Sequence, residues 1–278
     1  MNILCVLAQK NEAACLDPWV RYHAYMVGME NLHIIDNASD DPMVIEKLKF
    51  YEQAGIGITR IPPGTDFSLR GNYTSELINE IESTRNFDFV FPMDCDEFLA
   101  VFTADGRPSC RREDIHNYLA RLKSREGIYE MPGCFENINA VPGVFRWRSD
   151  GQYTKVYFSG HQCVRLDIGY HNGVARNGLP RIKGDIFYVH YQVKPYSMFR
   201  KLGRQKLEPF VNPDDREALQ RLKDSRGINF HVASMYLLTE EEYNNTLQWQ
   251  RVKENERMFV EFNNLLKVLG LNPNIFDV

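Results

Sequence analysis

Asp94, Asp96 and Glu97 put three acids within four residues, directly after the apolar run Phe87-Asp88-Phe89-Val90-Phe91-Pro92-Met93. Such a run reads as a buried strand, which places the acids at its carboxyl end. In an extended segment alternate side chains share a side. Asp94 and Asp96 are therefore expected to project together, with Cys95 and Glu97 facing away. Two neighbouring carboxylates penalise each other's ionisation. A divalent cation such as Mg²⁺ or Mn²⁺ removes that penalty and can bridge to a phosphate. A solvated turn also favours Asp, but this acid density beside a long aromatic run points to the metal.

The preceding elements show how such a site would be held. Asn2 to Ala8 reads as a buried strand, broken by the polar Gln9-Lys10-Asn11-Glu12. Asp17 and Pro18 look like an N-cap and first helical residue. Trp19, Tyr22, His23 and Met26 then recur at helical spacing, giving an amphipathic helix that ends near Gly28. His23 lies on its apolar stripe and is expected to be a core or lining histidine. Leu32-His33-Ile34-Ile35-Asp36 is a second strand, and Asp41-Pro42 opens a helix through Tyr51. Ile56 to Ile61 is a third strand, and Asn72 to Arg85 a helix leading into the acidic run. This alternation implies a parallel sheet, in which ligands gather outside the carboxyl ends of the strands. Lys10-Asn11-Glu12, Asp36-Asn37 and Asp94-Cys95-Asp96 all fall at those ends.

Downstream the pattern changes. Ile115, Tyr118, Leu119 and Leu122 mark one more helix, while residues 127–190 are irregular and strand-like, punctuated at Pro132-Gly133, Pro142-Gly143 and Asn177-Gly178. Pro195 to Leu207 looks helical, and Thr239 with Glu242 forms a capping box for a helix running toward Leu269. The chain's 278 residues, 44% of them hydrophobic, suffice for a full core. A net charge of −4 gives no footprint for nucleic acid. Six cysteines without CxxC or zinc-ligand spacing are expected to be reduced thiols in a cytoplasm-like compartment. The N-terminus lacks a basic signal-peptide region and no stretch reaches transmembrane length, so a soluble, cytoplasmic protein is expected. Arg200, Lys201, Arg204 and Lys206 leave open a peripheral contact with the anionic inner face of a membrane, although such charge usually marks a solvated helix face.

Lys10-Asn11-Glu12, Trp19-Val20-Arg21-Tyr22-His23, Gly28, Ile35-Asp36-Asn37-Ala38-Ser39-Asp40 and Asp94-Cys95-Asp96-Glu97-Phe98-Leu99 occur in that order. Together they resemble the family 2-like glycosyltransferases with a GT-A, nucleotide-diphospho-sugar transferase fold. The matching subgroup reads KNE, W-x-x-Y-H, D-N-x-S-x-D and D-x-D-E-F. The resemblance is strongest over residues 1–101. Lys155, Gly169-Tyr170-His171 and Val189-His190-Tyr191 through Lys201 are similar to later landmarks. It implies an α/β, Rossmann-like sandwich with a mostly parallel central sheet flanked by helices. Residues 1–101 would be the nucleotide-sugar-binding half, 102–210 the acceptor- and metal-closing half, and 211–278 a helical C-terminal extension.

The resemblance also implies a reaction, in which a sugar passes from a nucleotide-diphospho-sugar (UDP-linked, by family precedent) to a glycan or lipid-linked acceptor with inversion. The leaving nucleoside diphosphate gains charge that Mn²⁺ or Mg²⁺ would neutralise. On this reading Asp96 is the first metal ligand, and Asp94 serves the ribose or a metal-bound water. Asp36 accepts a hydrogen bond from the base, Gln9, Lys10, Glu12 and Asn37 line the nucleoside pocket, and Arg70 neutralises phosphate. Asp36, Glu12 and Arg70 also have ordinary alternatives as turn cap, solvated acid and surface ion pair. The acceptor's hydroxyl needs a base, for which Glu136 is the candidate, with Glu97 and Asp167 as rivals. A downstream histidine is expected to close the metal shell. His171, at a strand end before an Asn-Gly turn, ranks ahead of His190, which sits inside an apolar run. Aromatic and charged residues interleaved at Phe145-Arg146-Trp147-Arg148 and Tyr188 to Tyr196 suit sugar stacking or ordinary packing. Two other readings stand beside this one. One is a non-catalytic sugar-nucleotide or glycan binder. The other is a haloacid-dehalogenase-like phosphatase, whose DxD usually sits on its first strand rather than after three strand units.

Overall fold

The computed structural model describes residues 1–138, 143–149, 153–248 and 256–277. Pro142 of one expected turn, and residues 249–255 of the expected long C-terminal helix, lie outside them. The strands are β1 Ile3–Gln9, β2 Leu32–Asp36, β3 Gly57–Arg60, β4 Phe89–Asp94, β5 Glu97–Phe102, β6 Pro108–Ser109 and β7 Ile128–Met131, followed by β8 Cys134–Asn137, β9 Phe145–Arg148, β10 Lys155–Ser159, β11 Cys163–Leu166, β12 Gly173–Ala175, β13 Arg181–Lys183 and β14 Ile186–His190. The helices are α1 Leu16–Val27, α2 Pro42–Gln53, α3 Arg70–Thr84, α4 Arg112–Leu122, α5 Tyr196–Leu207, α6 Arg216–Ser225, α7 Phe230–Tyr236, α8 Glu240–Gln248 and α9 Glu256–Val268.

All seven residues of β1 are buried, so both faces of its sheet must be covered. Side-chain alternation divides them between two cores. Ile3, Cys5 and Leu7 pack with residues of α1, α2, α4, α9 and a second sheet. Leu4, Val6 and Ala8 pack with Leu77 and Ile78 of α3 and with Cys163, Leu166 and Ala175 of the β11–β12 hairpin. The central sheet has the order β3-β2-β1-β4-β10-β7-β13. Its first four strands are parallel, as are β7 and β13, and β10 runs against both its neighbours. This is the mostly parallel, helix-flanked α/β architecture expected. Parallel neighbours need long return connections, and α1, α2 and α3 supply them.

The second sheet has the order β6-β5-β14-β8-β9. Between β4 and β5 stand only Cys95 and Asp96, so the chain leaves one sheet and enters the other at the acids. Phe98 of β5 anchors that junction, with no exposed surface and its ring edge-on to Tyr22, Tyr191 and Phe262 at 5.3, 5.6 and 5.8 Å. Trp19 and Tyr22, like His23, are fully buried in the same nest, so this part of the resemblance records packing.

Local signals hold in most places. Asp41 caps α2 by accepting from the Met43 amide at 3.0 Å. Thr239 and Glu242 exchange the bonds of a capping box. Asp17 differs from expectation. The helix begins at Leu16 with Cys15 at the N-cap, two residues earlier, and the Asp17 carboxylate takes the Tyr51 hydroxyl at 2.8 Å and the Lys47 ammonium at 2.6 Å instead of capping. The C-terminal segment is tied to the rest of the chain. Leu207 of α5 shares a small core with Leu219 of α6 and Val232 of α7, while Phe262 and Leu266 of α9 join the main core. All six cysteines are free and buried. Among the described residues no helix is long and apolar enough to cross a membrane.

His23 behaves as a core histidine, its Nδ1 2.9 Å from the Trp19 carbonyl. Burial lowers its pKa from 6.5 to about 3, against the smaller upward pull of that bond. Between those values the unfolded chain binds a proton that the folded chain refuses. Stability is therefore lost as pH falls from 6.5 toward 3, by at most about 1.4 kcal/mol per pH unit. His23→Gln should flatten the slope of stability between pH 6.5 and 4.5, whatever it does to absolute stability. Urea titrations of both proteins across that window check this, and equal slopes would refute it.

Candidate active site

The loops after β1 and β2 are built as one unit. Asn11 takes a left-handed backbone (φ 56°) that turns its side chain toward the neighbouring loop. Its Oδ1 accepts from the Asp40 and Asp41 amides, each at 3.0 Å, and its Nδ2 donates to Asp40 Oδ1 at 2.7 Å. Asp36 Oδ1 accepts from Gln9 Nε2 at 2.7 Å and from the Ser39 hydroxyl at 2.5 Å. Much of the Lys10-Asn11-Glu12 and Asp36 to Asp40 pattern thus fixes the shape of one sheet edge. Gln9 and Asp36 are buried there, Asn37 is half-buried and Lys10 is exposed.

At the end of β4 Asp94 and Asp96 stay partly exposed while Cys95 and Glu97 are buried, and the charge of Asp96 acts on Asp94, yet the two aspartates take different cations. Asp94 shares its cation with Glu97. Lys155 of β10, 4% exposed, places its ammonium 2.5 Å from Asp94 Oδ2 and 2.9 Å from Glu97 Oε1. Glu97 Oε2 also accepts from the Asp94 amide at 2.9 Å. Arg70, the first residue of α3, donates to Asp94 Oδ1 and, at 3.1 Å, to the Tyr170 hydroxyl, with its guanidinium 4.3 Å above that ring. Gly71 lets α3 come this close, since a Cβ there would collide with the Leu166 carbonyl oxygen. Asp96 faces other cations, with Lys194 Nζ 2.6 Å from Oδ2 and His190 Nε2 3.5 Å from Oδ1.

These pairings set the charges. Burial pushes the Asp94 carboxyl up, but Arg70 and Lys155 outweigh it and hold Asp94 well below the usual range. Asp96 is likewise raised by burial and lowered further by Lys194 and His190, for a net fall. Burial alone would lower His190, yet Asp96 lifts it to about 10. For Glu97 burial wins over Lys155, and its carboxyl is raised. Burial also raises half-buried Glu12, with Lys194 the main opposing charge.

A cross-strand row links this cluster to the second sheet. Glu97 of β5 is the register partner of His190 on β14, His190 of Glu136 on β8, and Glu136 of Arg146 on β9. Glu136 does not suit the base role proposed for it. It is 2% exposed, and its Oε2 accepts from Arg146 Nε at 2.6 Å and from Arg146 Nη2, with Arg148 at 3.8 Å. That oxygen is buried and already taken by guanidinium donors, so it is not offered to an acceptor hydroxyl. Of its rivals, Glu97 is bound to Lys155, and Asp167 Oδ2 lies 3.4 Å from Asn172 Nδ2. His171 Nδ1 bonds the Thr154 carbonyl at 2.7 Å, while His190 stands beside Asp96.

Residue type and spacing assign no role to Lys155 or Lys194. A usable signal was present, because both interrupt apolar, aromatic segments, and buried lysines nearly always have a partner.

No protein-family model matches the sequence, and no curated protein matches it. Among solved structures, S. aureus TarS 1-349 aligns at 11% identity and a TM-score of 0.42 over 97% of this chain and 80% of that one. The same protein in complex with UDP-GlcNAc aligns at 11% identity and 0.41, with the same coverage. Mannose-1-phosphate geranyltransferase from Thermus thermophilus aligns at 11% identity and 0.31 over 89% of this chain and 68% of that one. Likenesses this distant say nothing about chemistry, which rests on the residues themselves.

Proposed function

We propose that the chain is a glycosyltransferase that takes a sugar from a nucleotide-diphospho-sugar, UDP-linked in the first instance, and passes it with inversion to a glycan or lipid-linked acceptor. The observation that carries this reading is the convergence of Arg70, Lys155, Lys194 and His190 on Asp94 and Asp96, at the sheet edge that also holds Gln9, Glu12 and Asp36. Cations held in place by acids are preorganised for an incoming diphosphate and for the charge its departure develops. In this reading Asp36 and Gln9 face the base, Arg70 and Lys155 the phosphates, and Asp94 keeps both cations aimed.

The donor set suits a divalent ion at Asp96 rather than between the two aspartates. Both Asp94 oxygens are engaged by Arg70 and Lys155, whereas beside Asp96 Oδ1 the His190 ring, a cation while Asp96 lifts it to about 10, would have to release its Nε2 proton to complete an oxygen–nitrogen pair that favours Mn²⁺ over Mg²⁺. Among the described residues no group of three or more His, Cys, Asp or Glu could hold an ion, so phosphate and water would complete the shell. When bound, the ion would supply Lewis acidity toward the leaving diphosphate.

The test is incubation with UDP-, GDP- and CMP-sugars and Mn²⁺, following nucleotide release and thermal stability. Slow donor hydrolysis is expected with one of them. A thermal shift without release would favour the non-catalytic binder, and neither response to any donor would overturn the reading.

A further inference from the structure

We propose that Tyr170 is a positioning residue, which fixes Arg70 and Lys155 toward the donor's phosphates without touching the donor itself. The proposal rests on the nucleotide-sugar reading of the site and adds a residue to it.

Tyr170 lies in the turn that joins β11 to β12, and it has no exposed surface. Its backbone is left-handed (φ 58°), a conformation that crowds a bulky side chain. The adjacent Gly169 could take that conformation freely and does not. Strain of this kind persists only where the surroundings impose it, and it gathers at functional sites. The surroundings here are specific. The Tyr170 hydroxyl accepts from Arg70 Nε at 3.1 Å and meets the Thr74 hydroxyl at 3.0 Å, so it is tied to the start of α3. The Arg70 guanidinium lies 4.3 Å from the ring centroid and the Lys155 ammonium 5.4 Å from it, so one ring serves both cations.

The same turn grips β10 on either side of Lys155. The Tyr170 carbonyl accepts from the Val156 amide at 3.0 Å, and His171 Nδ1 donates to the Thr154 carbonyl at 2.7 Å. Gly71, with no Cβ, lets α3 settle against the Leu166 and Asp167 carbonyl oxygens at the mouth of the turn. One turn therefore sets the helix that carries Arg70 against the strand that carries Lys155. Both cations also bind Asp94, and like charges gathered on one carboxylate repel each other. The negative face of an aromatic ring offsets that repulsion. Unlike a further carboxylate, it adds no net charge that would repel a phosphate.

Binding of UDP, inorganic pyrophosphate and uridine is measured by calorimetry in chelator for wild type, Tyr170→Phe and Tyr170→Gly, with folding checked by thermal melts. Tyr170→Phe keeps the ring and loses the hydroxyl, while Tyr170→Gly suits the backbone and loses both. UDP and pyrophosphate should bind about tenfold weaker to Tyr170→Phe and about a hundredfold weaker to Tyr170→Gly. Uridine, which lacks phosphate, should bind all three proteins alike. A merely structural role would weaken uridine as well. Unchanged UDP and pyrophosphate binding by Tyr170→Phe overturns the proposal, as does an equal loss for uridine. If Tyr170→Gly does not fold, Tyr170→Phe decides alone. A wild type that binds pyrophosphate but not UDP overturns the nucleotide reading, and pyrophosphate binding by Tyr170→Phe then decides the role of Tyr170. A wild type that binds neither overturns both.

Discussion

Lys155→Met is expected to lose about 3–5 kcal/mol of stability near pH 8, the usual cost of stripping one partner from a buried ion pair. Lys155 is the cation shared by Asp94 and Glu97. Asp94 keeps Arg70, but Glu97, 1% exposed, loses the main charge opposing its burial. The deficit should therefore depend on pH in a defined direction. Glu97 already has a folded pKa raised above its unfolded value, and removing Lys155 raises it further. A raised carboxyl favours folding below its unfolded pKa, and that favour is lost as pH rises through the folded value. The variant should thus lie closer to wild type at pH 5 than at pH 8. Adding Glu97→Gln to Lys155→Met should recover part of the loss at pH 8, since no buried charge then remains unpaired. Urea denaturation of the four proteins at both pH values forms a double-mutant cycle. A deficit under 1 kcal/mol or one independent of pH would show that Glu97 does not depend on Lys155.

Asp96→Asn is expected to cut donor turnover by a factor of about 10² to 10³ or more, as removal of one preorganised charged group from a transfer site does. It should also cost some stability, because the side chain is only 15% exposed and neutralises both Lys194 and His190. Turnover and melting temperature must therefore be read together, at a temperature where the variant is folded. The same preparations locate the metal. His190→Ala should weaken Mn²⁺ binding in the presence of UDP, while His171→Ala, whose ring bonds the Thr154 carbonyl, should not. Wild-type turnover by Asp96→Asn would remove Asp96 from the chemistry, and equal Mn²⁺ affinity for His190→Ala and wild type would remove His190 from the metal site.

The amino-acid sequence by itself determined the first four strands and their helices, the punctuation between them, and the placing of three polar loops at one sheet edge. These follow from short-range causes: alternation of apolar residues, Asp-Pro helix starts, and glycine where a chain turns. His23 as a core residue was legible for the same reason, since its place on an apolar helical stripe is a local property. Which cation meets which acid was decided only in three dimensions. Lys155 lies 61 residues from Asp94 and Lys194 lies 98 from Asp96, and they meet because β10 inserts antiparallel beside β4 and β14 pairs with β5. No local pattern specifies those pairings. The same holds for the acids themselves. Alternation does leave Asp94 and Asp96 partly exposed and Cys95 and Glu97 buried, but their partners come from the fold: Asp94 joins Glu97 through Lys155, while Asp96 meets His190 and Lys194. Glu136 reached its partner in this way too, since Arg146 stands opposite it only once β8 and β9 are paired. Residue types and spacing carry the charges to the edge of the sheet, and strand pairing over long sequence distances assigns each one its neighbour.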